Sequence, residues 1–244
     1  MHTTLVHHTL FDHAVFALLL LLPLVEWKWS WPRYLGRLAA DPVNARRGHY
    51  RRLIAGEWVP TVVLLATWAV MHRPWPALRL AGGTPLGLGL GFGYVLALVG
   101  LLVLQRRALL ARPDRRARVR KALNYAKPLL PHSPAERRLF WAVSATAGVC
   151  EEVFFRGFLT WYFSAWMGPV AAVLLASVLF GAGHVYMGIA QVPKTAMIGL
   201  IFAVVVGLTG SLWPAMLLHA AVDWNSGELA FRLLKEPVPD SSVA

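Results

Sequence analysis

The chain has 244 residues, of which 57% are hydrophobic and only 15% are charged, and its formal net charge is +12. Soluble domains carry about 25% charged residues, so this composition argues against a soluble protein and indicates a polytopic membrane protein. The positive charge does not indicate nucleic-acid binding, because Lys and Arg are confined to stretches between apolar segments and no recognition motif is present. Cys150 is the single cysteine. It excludes an intramolecular disulfide and a cysteine-based metal site, and we interpret it as a small apolar helix residue.

Seven apolar segments follow one another along the chain. Their approximate bounds are 12–29, 53–71, 85–104, 138–162, 168–185, 192–209 and 211–234. They predict an all-α fold, a polytopic transmembrane helix bundle of about seven spans. The first segment lacks a basic n-region and a small-residue cleavage site, so we interpret it as an uncleaved anchor and not as a signal peptide.

Basic residues between the apolar segments predict the orientation of the bundle. The stretches 26–52 and 105–138 are rich in Lys and Arg, whereas the loop 72–84 between them contains only Arg73 and Arg79. Basic loops stay on the cytoplasmic side of a membrane. We therefore expect the N-terminus outside and the C-terminus inside, in a bacterial inner (plasma) membrane.

A glycine-rich stretch, G-L-G-L-G-F-G at 87–93, superficially resembles a dinucleotide-binding loop. It does not follow a strand, so the fingerprint fails. Gly87 with Gly91, and Gly89 with Gly93, form small-xxx-small pairs instead. Such pairs predict a helix face that another membrane helix approaches closely.

Ionisable residues inside an apolar span are costly unless they are paired or face a cavity, so each of them is a functional hypothesis. From the fourth segment onward these residues are Glu151, Glu152, Arg156, His184, Lys194, His219, Asp223 and Glu228. Lys194 begins the sixth segment and can reach the membrane surface, and we interpret Glu228 as solvated where the last helix leaves the membrane. Neither is assigned a catalytic role.

The spacing of the remaining residues predicts which of them share a helix face. Glu152 and Arg156 are four apart, so they stack on one face and can pair. Glu151 is turned about 100° around the helix axis, which leaves it without a partner on its own helix and suited to take and return a proton. His219 and Asp223 are also four apart, so the carboxylate can orient the imidazole.

Two chemistries fit these residues if the helices that carry them converge on one pocket. A glutamate can activate water while histidines stabilise an oxyanion. Alternatively, Glu151, His184 and His219 can supply a carboxylate and two imidazoles to a zinc ion, although no H-E-x-x-H motif occurs. A third interpretation is that these residues serve only helix–helix contacts. It is less favoured, because such contacts do not require several costly ionisable side chains inside apolar spans.

Three motifs in this region resemble those of a known family. They are E-E-V-F-F-R at 151–156, F-G-A-G-H at 180–184 and H-A-A-V-D at 219–223. The CPBP family of intramembrane endopeptidases, which includes the type II CAAX prenyl endopeptidase, has EExxxR, FxxxH and Hxxx(N/D) in this order in adjacent membrane helices. The resemblance covers about residues 134–225 and implies a protease core there, in the same helix bundle as variable N-terminal membrane helices at 1–110.

The resemblance also implies a role for each matching residue. Those implied to be catalytic are Glu151, His184, His219 and Asp223: the first two activate water, and the last two bind the oxyanion. Glu152 and Arg156 are implied to support the site and to contact the substrate. The prenyl endopeptidase has asparagine where this chain has Asp223. An ionised aspartate cannot donate a hydrogen bond to an oxyanion, so Asp223 must be protonated or must act by orienting His219.

We therefore expect an intramembrane endopeptidase that needs no cofactor and hydrolyses a peptide bond of a membrane-associated protein. The expected partners are the lipid bilayer and a protein or peptide substrate: a prenylated CAAX protein, a bacteriocin leader or a membrane-anchored sorting signal. A zinc-dependent peptidase with the same residues is one alternative. A non-catalytic membrane scaffold or immunity protein is the other.

Overall fold

The computed structural model describes residues 8–235, and within this range the chain forms a bundle of α-helices without a β-strand. The helices are α1 (Leu10–Val25), α2 (Trp31–Ala40), α3 (Pro42–Val70), α4 (Pro85–Leu110), α5 (Pro113–Ala122), α6 (Pro134–Glu152), α7 (Thr160–Ser164), α8 (Pro169–Gly183), α9 (Val192–Thr209) and α10 (Trp213–Lys235). The predicted all-α architecture is confirmed.

Four helical stretches between residues 8 and 235 are long and apolar enough to cross a membrane. They are Leu10–Ala40, Pro42–Val70, Pro85–Leu110 and Ile189–Thr209, and the apolar helix α8 is shorter. The protein is therefore a helical membrane bundle. Helices α6 and α10 are not among these four stretches, because the charged candidate residues that they carry lower their mean hydropathy. The number of seven spans therefore stays a prediction.

The two basic stretches that we expected to be loops are largely helical. In the first, a π-helical segment, Glu26–Ser30, joins α1 to α2, and α3 follows directly from Pro42. In the second, α4 continues to Leu110 and α5 begins at Pro113. Arginine and lysine are good helix formers, and proline is favoured at the first position of a helix. The basic residues therefore indicate where the apolar segments end, but the helices continue beyond these points.

The glycine-rich stretch packs on only one of its two faces. A Cβ added at Gly91 would lie 2.4 Å from the Cγ2 atom of Thr209 and 3.3 Å from the Cγ atom of Pro214, so α4 closely approaches the end of α9 and the start of α10 there. Nothing lies within 4 Å of a Cβ added at Gly89 or Gly93. The predicted close packing is confirmed for the Gly91 face, whereas no helix of the described residues 8–235 packs on the Gly89 face.

The start of α6 is held to α3 by a capping box and a buried ion pair. The Ser133 hydroxyl accepts from the Glu136 backbone N–H at 3.2 Å, and Oε2 of Glu136 accepts from the Ser133 N–H at 3.1 Å. The other carboxylate oxygen of Glu136 pairs with Nη1 of Arg46 at 3.1 Å, and both side chains are buried. These contacts place α6 against α3, on which the site depends.

The crossing of α6 and α10 requires a glycine. A Cβ added at Gly148 would lie 2.8 Å from the backbone nitrogen of Ala220 and 2.8 Å from the carbonyl oxygen of Met216. Only a residue without a side chain allows backbones to come so close. The crossing brings His219, the neighbour of Ala220, to the end of α6 at Glu152.

The end of α10 corrects our interpretation of Glu228. Its side chain is buried, its carboxylate accepts a hydrogen bond from Nε1 of Trp141 at 3.0 Å, and it lies 3.7 Å from Nε of Arg137. Glu228 therefore joins α10 to α6 and is not solvated. Cys150 is also buried, as expected for a small apolar helix residue.

Candidate active site

The candidate residues come together where the ends of α6 and α8 meet α10. Glu151 and Glu152 are the last residues of α6, His184 follows α8 directly, and His219 lies in the second turn of α10. The chain continues from α6 into a π-helical segment, Val153–Leu159, a type of helix that is frequent at functional sites.

Glu152 is the centre of a buried charge network. Its Oε1 atom lies 2.9 Å from Nη1 of Arg156 and 2.9 Å from Nδ1 of His219. The pairing of Glu152 with Arg156 that the spacing predicted is confirmed. The guanidinium also lies over the ring of Phe180, with its carbon 4.2 Å from the ring centroid. The arginine is therefore held by one carboxylate and by an aromatic face.

The orientation of His219 is set by a different carboxylate from the one the spacing predicted. Oδ2 of Asp223 lies 3.7 Å from Nε2 of His219, which is too long for a hydrogen bond. The short contact is the one between Nδ1 and Glu152, and because a carboxylate only accepts, Nδ1 carries a proton. The ring of Phe202 stacks on the imidazole, with centroids 4.7 Å apart. Glu152 and Phe202 thus hold His219 with Nε2 facing the site.

Glu151 faces both histidines without touching either. Its Oε2 atom lies 4.0 Å from Nε2 of His184 and 3.9 Å from Nε2 of His219, and it has no hydrogen-bond partner among residues 8–235. Nδ1 of His184 lies 2.9 Å from the carbonyl oxygen of Phe180 and therefore donates to it. In the neutral imidazole this leaves the lone pair of Nε2 on the side of Glu151.

A cavity of about 540 Å³ opens from these residues and is lined by Glu151 and His184. We call it the site cavity. Much of its wall is apolar and comes from α1, α3 and the π-helical segment after α6. Its ionisable wall residues outside the predicted set are Glu26, Arg33, Tyr34, Arg37, His49, Arg52, Glu57 and Tyr186.

Two of these wall residues, Glu57 and Tyr186, lie close to the predicted site and were not predicted from the sequence. Burial, with a contribution from the nearby carboxylate of Glu151, raises the pKa of Tyr186 above its usual range, so its phenol keeps its proton and is a donor in the cavity. Glu57 is the single charged residue between positions 53 and 71. A carboxylate inside an apolar span is itself a functional signal, and that signal identifies Glu57. Tyr186 has no comparable signal in the sequence.

The zinc alternative rests on the sequence alone. Within the part of the chain that the structure describes, no group of three or more His, Cys, Asp or Glu side chains is arranged to hold a metal ion.

Comparison with known proteins identifies one segment of the chain. Residues 134–225 match the model of a protein family described as Type II CAAX prenyl endopeptidase Rce1-like. The matched segment starts with α6 and contains all the candidate catalytic residues, Glu151, His184, His219 and Asp223. No curated protein and no solved structure matches the chain significantly.

Proposed function

Since residues 134–225 match the Type II CAAX prenyl endopeptidase Rce1-like family, we propose that the chain is a CPBP-type endopeptidase. It hydrolyses a peptide bond of a membrane-associated protein with a water molecule activated by Glu151 and His184. One observation carries the proposal. Oε2 of Glu151 lies 3.9–4.0 Å from the Nε2 atoms of two histidines, at the wall of a cavity large enough for a peptide segment.

Glu151 takes the role of general base in this mechanism. The separation between its Oε2 atom and Nε2 of His184 is 4.0 Å, a span that one bridging water bonded to both atoms covers. Glu151 accepts a proton from this water as the oxygen attacks the peptide carbonyl, and then returns the proton to the leaving amine. The hydrogen bond from Nδ1 to the Phe180 carbonyl keeps the Nε2 lone pair of His184 directed at the water.

His219 takes the role of oxyanion ligand. Its Nδ1 donates to Glu152, so Nε2 donates to an oxyanion only if the ring carries both protons. The negative charge of Glu152 stabilises such an imidazolium, and Arg156 on the same oxygen holds the carboxylate in place. Preorganised charge of this kind stabilises the tetrahedral intermediate without reorganisation.

Asp223 is proposed as a second donor to the oxyanion in its protonated form. Because Glu152 already orients His219, an orienting role for Asp223 is redundant. Its Oδ2 atom lies 3.7 Å from Nε2 of His219, on the side of the ring that faces the site. A protonated carboxyl there donates as the asparagine of related enzymes does.

The proposal extends to the class of substrate and to the membrane in which the protein lies. We infer that the substrate is processed as a CAAX-type carboxyl terminus or at a leader or sorting signal. We place the protein in a bacterial inner membrane with its N-terminus outside and its C-terminus inside, because its basic stretches flank the loop 72–84, which is poor in Lys and Arg.

Comparative proteomics of membrane-protein termini tests the function. Cells that lack the gene would be complemented with the wild type or with Glu151→Gln. The amide of glutamine keeps the shape of the side chain but does not accept the proton of the water. We expect new termini only in the cells with the wild type, while both proteins reach the membrane in equal amounts and melt at the same temperature. Equal processing by Glu151→Gln refutes the assignment.

Turnover by the purified protein separates the zinc alternative. If turnover by the purified wild type is lost in 1,10-phenanthroline and is restored by added zinc, the enzyme is a metallopeptidase. Turnover that is unaffected by the chelator supports water activation by Glu151.

A further inference from the structure

Glu57 is held opposite the candidate active site by contacts between α3 and α6. Nε1 of Trp58 donates to Oγ1 of Thr146 on α6 at 3.1 Å, and the hydroxyl of Thr61 donates to the backbone carbonyl of Glu57 at 2.7 Å. The bond of Thr61 lies within α3, whereas the contact of Trp58 with Thr146 joins α3 to α6 directly beside Glu57 and fixes the rotation of α3. The position of its carboxylate is thus a consequence of helix packing.

Within the described residues 8–235, the Glu57 side chain has no hydrogen-bond or ion-pair partner. It lines the site cavity together with Glu151 and His184, and its Oε2 atom is shielded from solvent and has no hydrogen bond. No Lys, Arg or His side chain of residues 8–234 lies within 4.0 Å of its carboxylate. The carboxylate of Glu151, which acts on it through the cavity, has the same sign.

A carboxylate in such a place is costly unless something complements it. We propose that Glu57 forms a substrate subsite that binds the basic side chain of a Lys or Arg residue next to the scissile bond. This inference rests on the proposed function. Glu57 and Glu151 line one cavity. A bound peptide therefore places the scissile bond at Glu151 and the side chain of an adjacent residue at Glu57. A bound ammonium or guanidinium supplies the hydrogen bonds and the charge that Glu57 lacks.

The charge of the cavity wall gives the bound peptide a direction. Arg33, Arg37 and Arg52 also line the site cavity, and these three residues are exposed. A cation is repelled at this outer wall and attracted at the inner end, near Glu57. The part of the peptide that remains at the outer wall is therefore acidic or neutral, and the basic residue lies innermost.

Binding to an inactive protein tests the subsite without turnover. Glu151→Gln protein in lipid nanodiscs would be incubated with a proteome-derived peptide library made with a glutamyl endopeptidase, which leaves Lys and Arg at internal positions. We expect retained peptides to be enriched in internal Lys or Arg by about 10- to 100-fold, the range of one charged hydrogen-bonded contact. The enrichment is lost when Glu57→Gln is added. It persists when Glu26→Gln, a change at a carboxylate elsewhere in the cavity wall, is added instead.

Cleavage by the active protein separates substrate binding from an effect on Glu151. A peptide cleaved by the wild type would be compared with a copy in which norleucine replaces the basic residue. Glu57→Gln should raise KM for the basic peptide by about 10- to 100-fold, with kcat and the cleavage of the norleucine copy nearly unchanged.

Three results overturn the subsite. They are the absence of enrichment in the Glu151→Gln protein, an enrichment that survives Glu57→Gln, and an equal loss of kcat for both peptides, which means that Glu57 acts through Glu151. The failure of the proposed function looks different. In that case Glu151→Gln protein still cleaves, whereas the binding preference of Glu57 is unaffected.

Discussion

Replacing Glu152 with glutamine removes the charge at the centre of the site and keeps its shape. One oxygen of Glu152 lies 2.9 Å from Arg156 and 2.9 Å from His219. The glutamate side chain is 0% exposed and that of Arg156 is 3% exposed. The amide can still accept from one neighbour, but Arg156 becomes an uncompensated charge in an apolar surrounding.

The expected loss of stability follows from this burial. Breaking a buried ion pair by removing one partner costs about 3–5 kcal/mol, and the remaining amide hydrogen bond places the loss near the lower end. For a chain of about this length, about 3 kcal/mol corresponds to a melting temperature lower by roughly 6–12 °C. Turnover should also fall by orders of magnitude, since loss of an orienting carboxylate lowers kcat by about 10⁴ in the serine-protease template.

Thermal melting in detergent and peptide turnover would be measured for Glu152→Gln and for three comparison variants: Glu151→Gln, Arg156→Gln and the double variant of Glu152 and Arg156. Glu151→Gln should melt like the wild type, because Oε2 of Glu151 has no hydrogen-bond partner to lose. Arg156→Gln added to Glu152→Gln should recover part of the stability, because it removes the unpaired charge. Wild-type melting of Glu152→Gln, or a double variant that loses the sum of both single effects, refutes the charge network.

Three further variants or fusions test other parts of the structure. Gly148→Ala should lower the free energy of unfolding by about 1–3 kcal/mol and reduce turnover, because the added Cβ lies 2.8 Å from backbone atoms of α10 and no side-chain rotation relieves the clash. The control is Gly89→Ala, which should change neither stability nor turnover, because nothing lies within 4 Å of its Cβ among the described residues. Asp223→Asn should keep substantial activity and extend the pH–rate profile to higher pH, because an amide donates at every pH, and a loss of orders of magnitude contradicts the donor role. A reporter active only in the cytoplasm should give a signal when fused at Ala244 and none within 74–84, and the reverse pattern refutes the orientation.

The sequence by itself identified the features that depend on neighbouring residues. Apolar runs predicted the helices, because each run is long enough to form a helix regardless of its partners. The four-residue spacing predicted the pair of Glu152 with Arg156, because one turn of helix brings such residues together. The motifs at 151–156, 180–184 and 219–223 indicated an endopeptidase family, and the segment 134–225 that contains them matches the model of a family described as Type II CAAX prenyl endopeptidase Rce1-like.

The same spacing argument was wrong for His219, and the reason lies in the packing of helices. Asp223 is its neighbour on α10, but the hydrogen bond goes to Glu152 on α6, 67 positions away in the sequence. Local geometry offered only Asp223 as a partner for the imidazole, because Glu152 lies on another helix. The contact of Gly148 with the backbone of α10 sets the depth and rotation of the crossing, and it thereby brings Glu152 to His219.

Only the tertiary structure decided which residues share the site cavity. Glu57 on α3 lines it together with His184, although 127 positions separate them (184 − 57). A membrane helix that is apolar all round has no periodic pattern to mark its inward face. The rotation of α3 is therefore set by a few contacts such as that of Trp58 with Thr146, and these depend on where two distant segments meet.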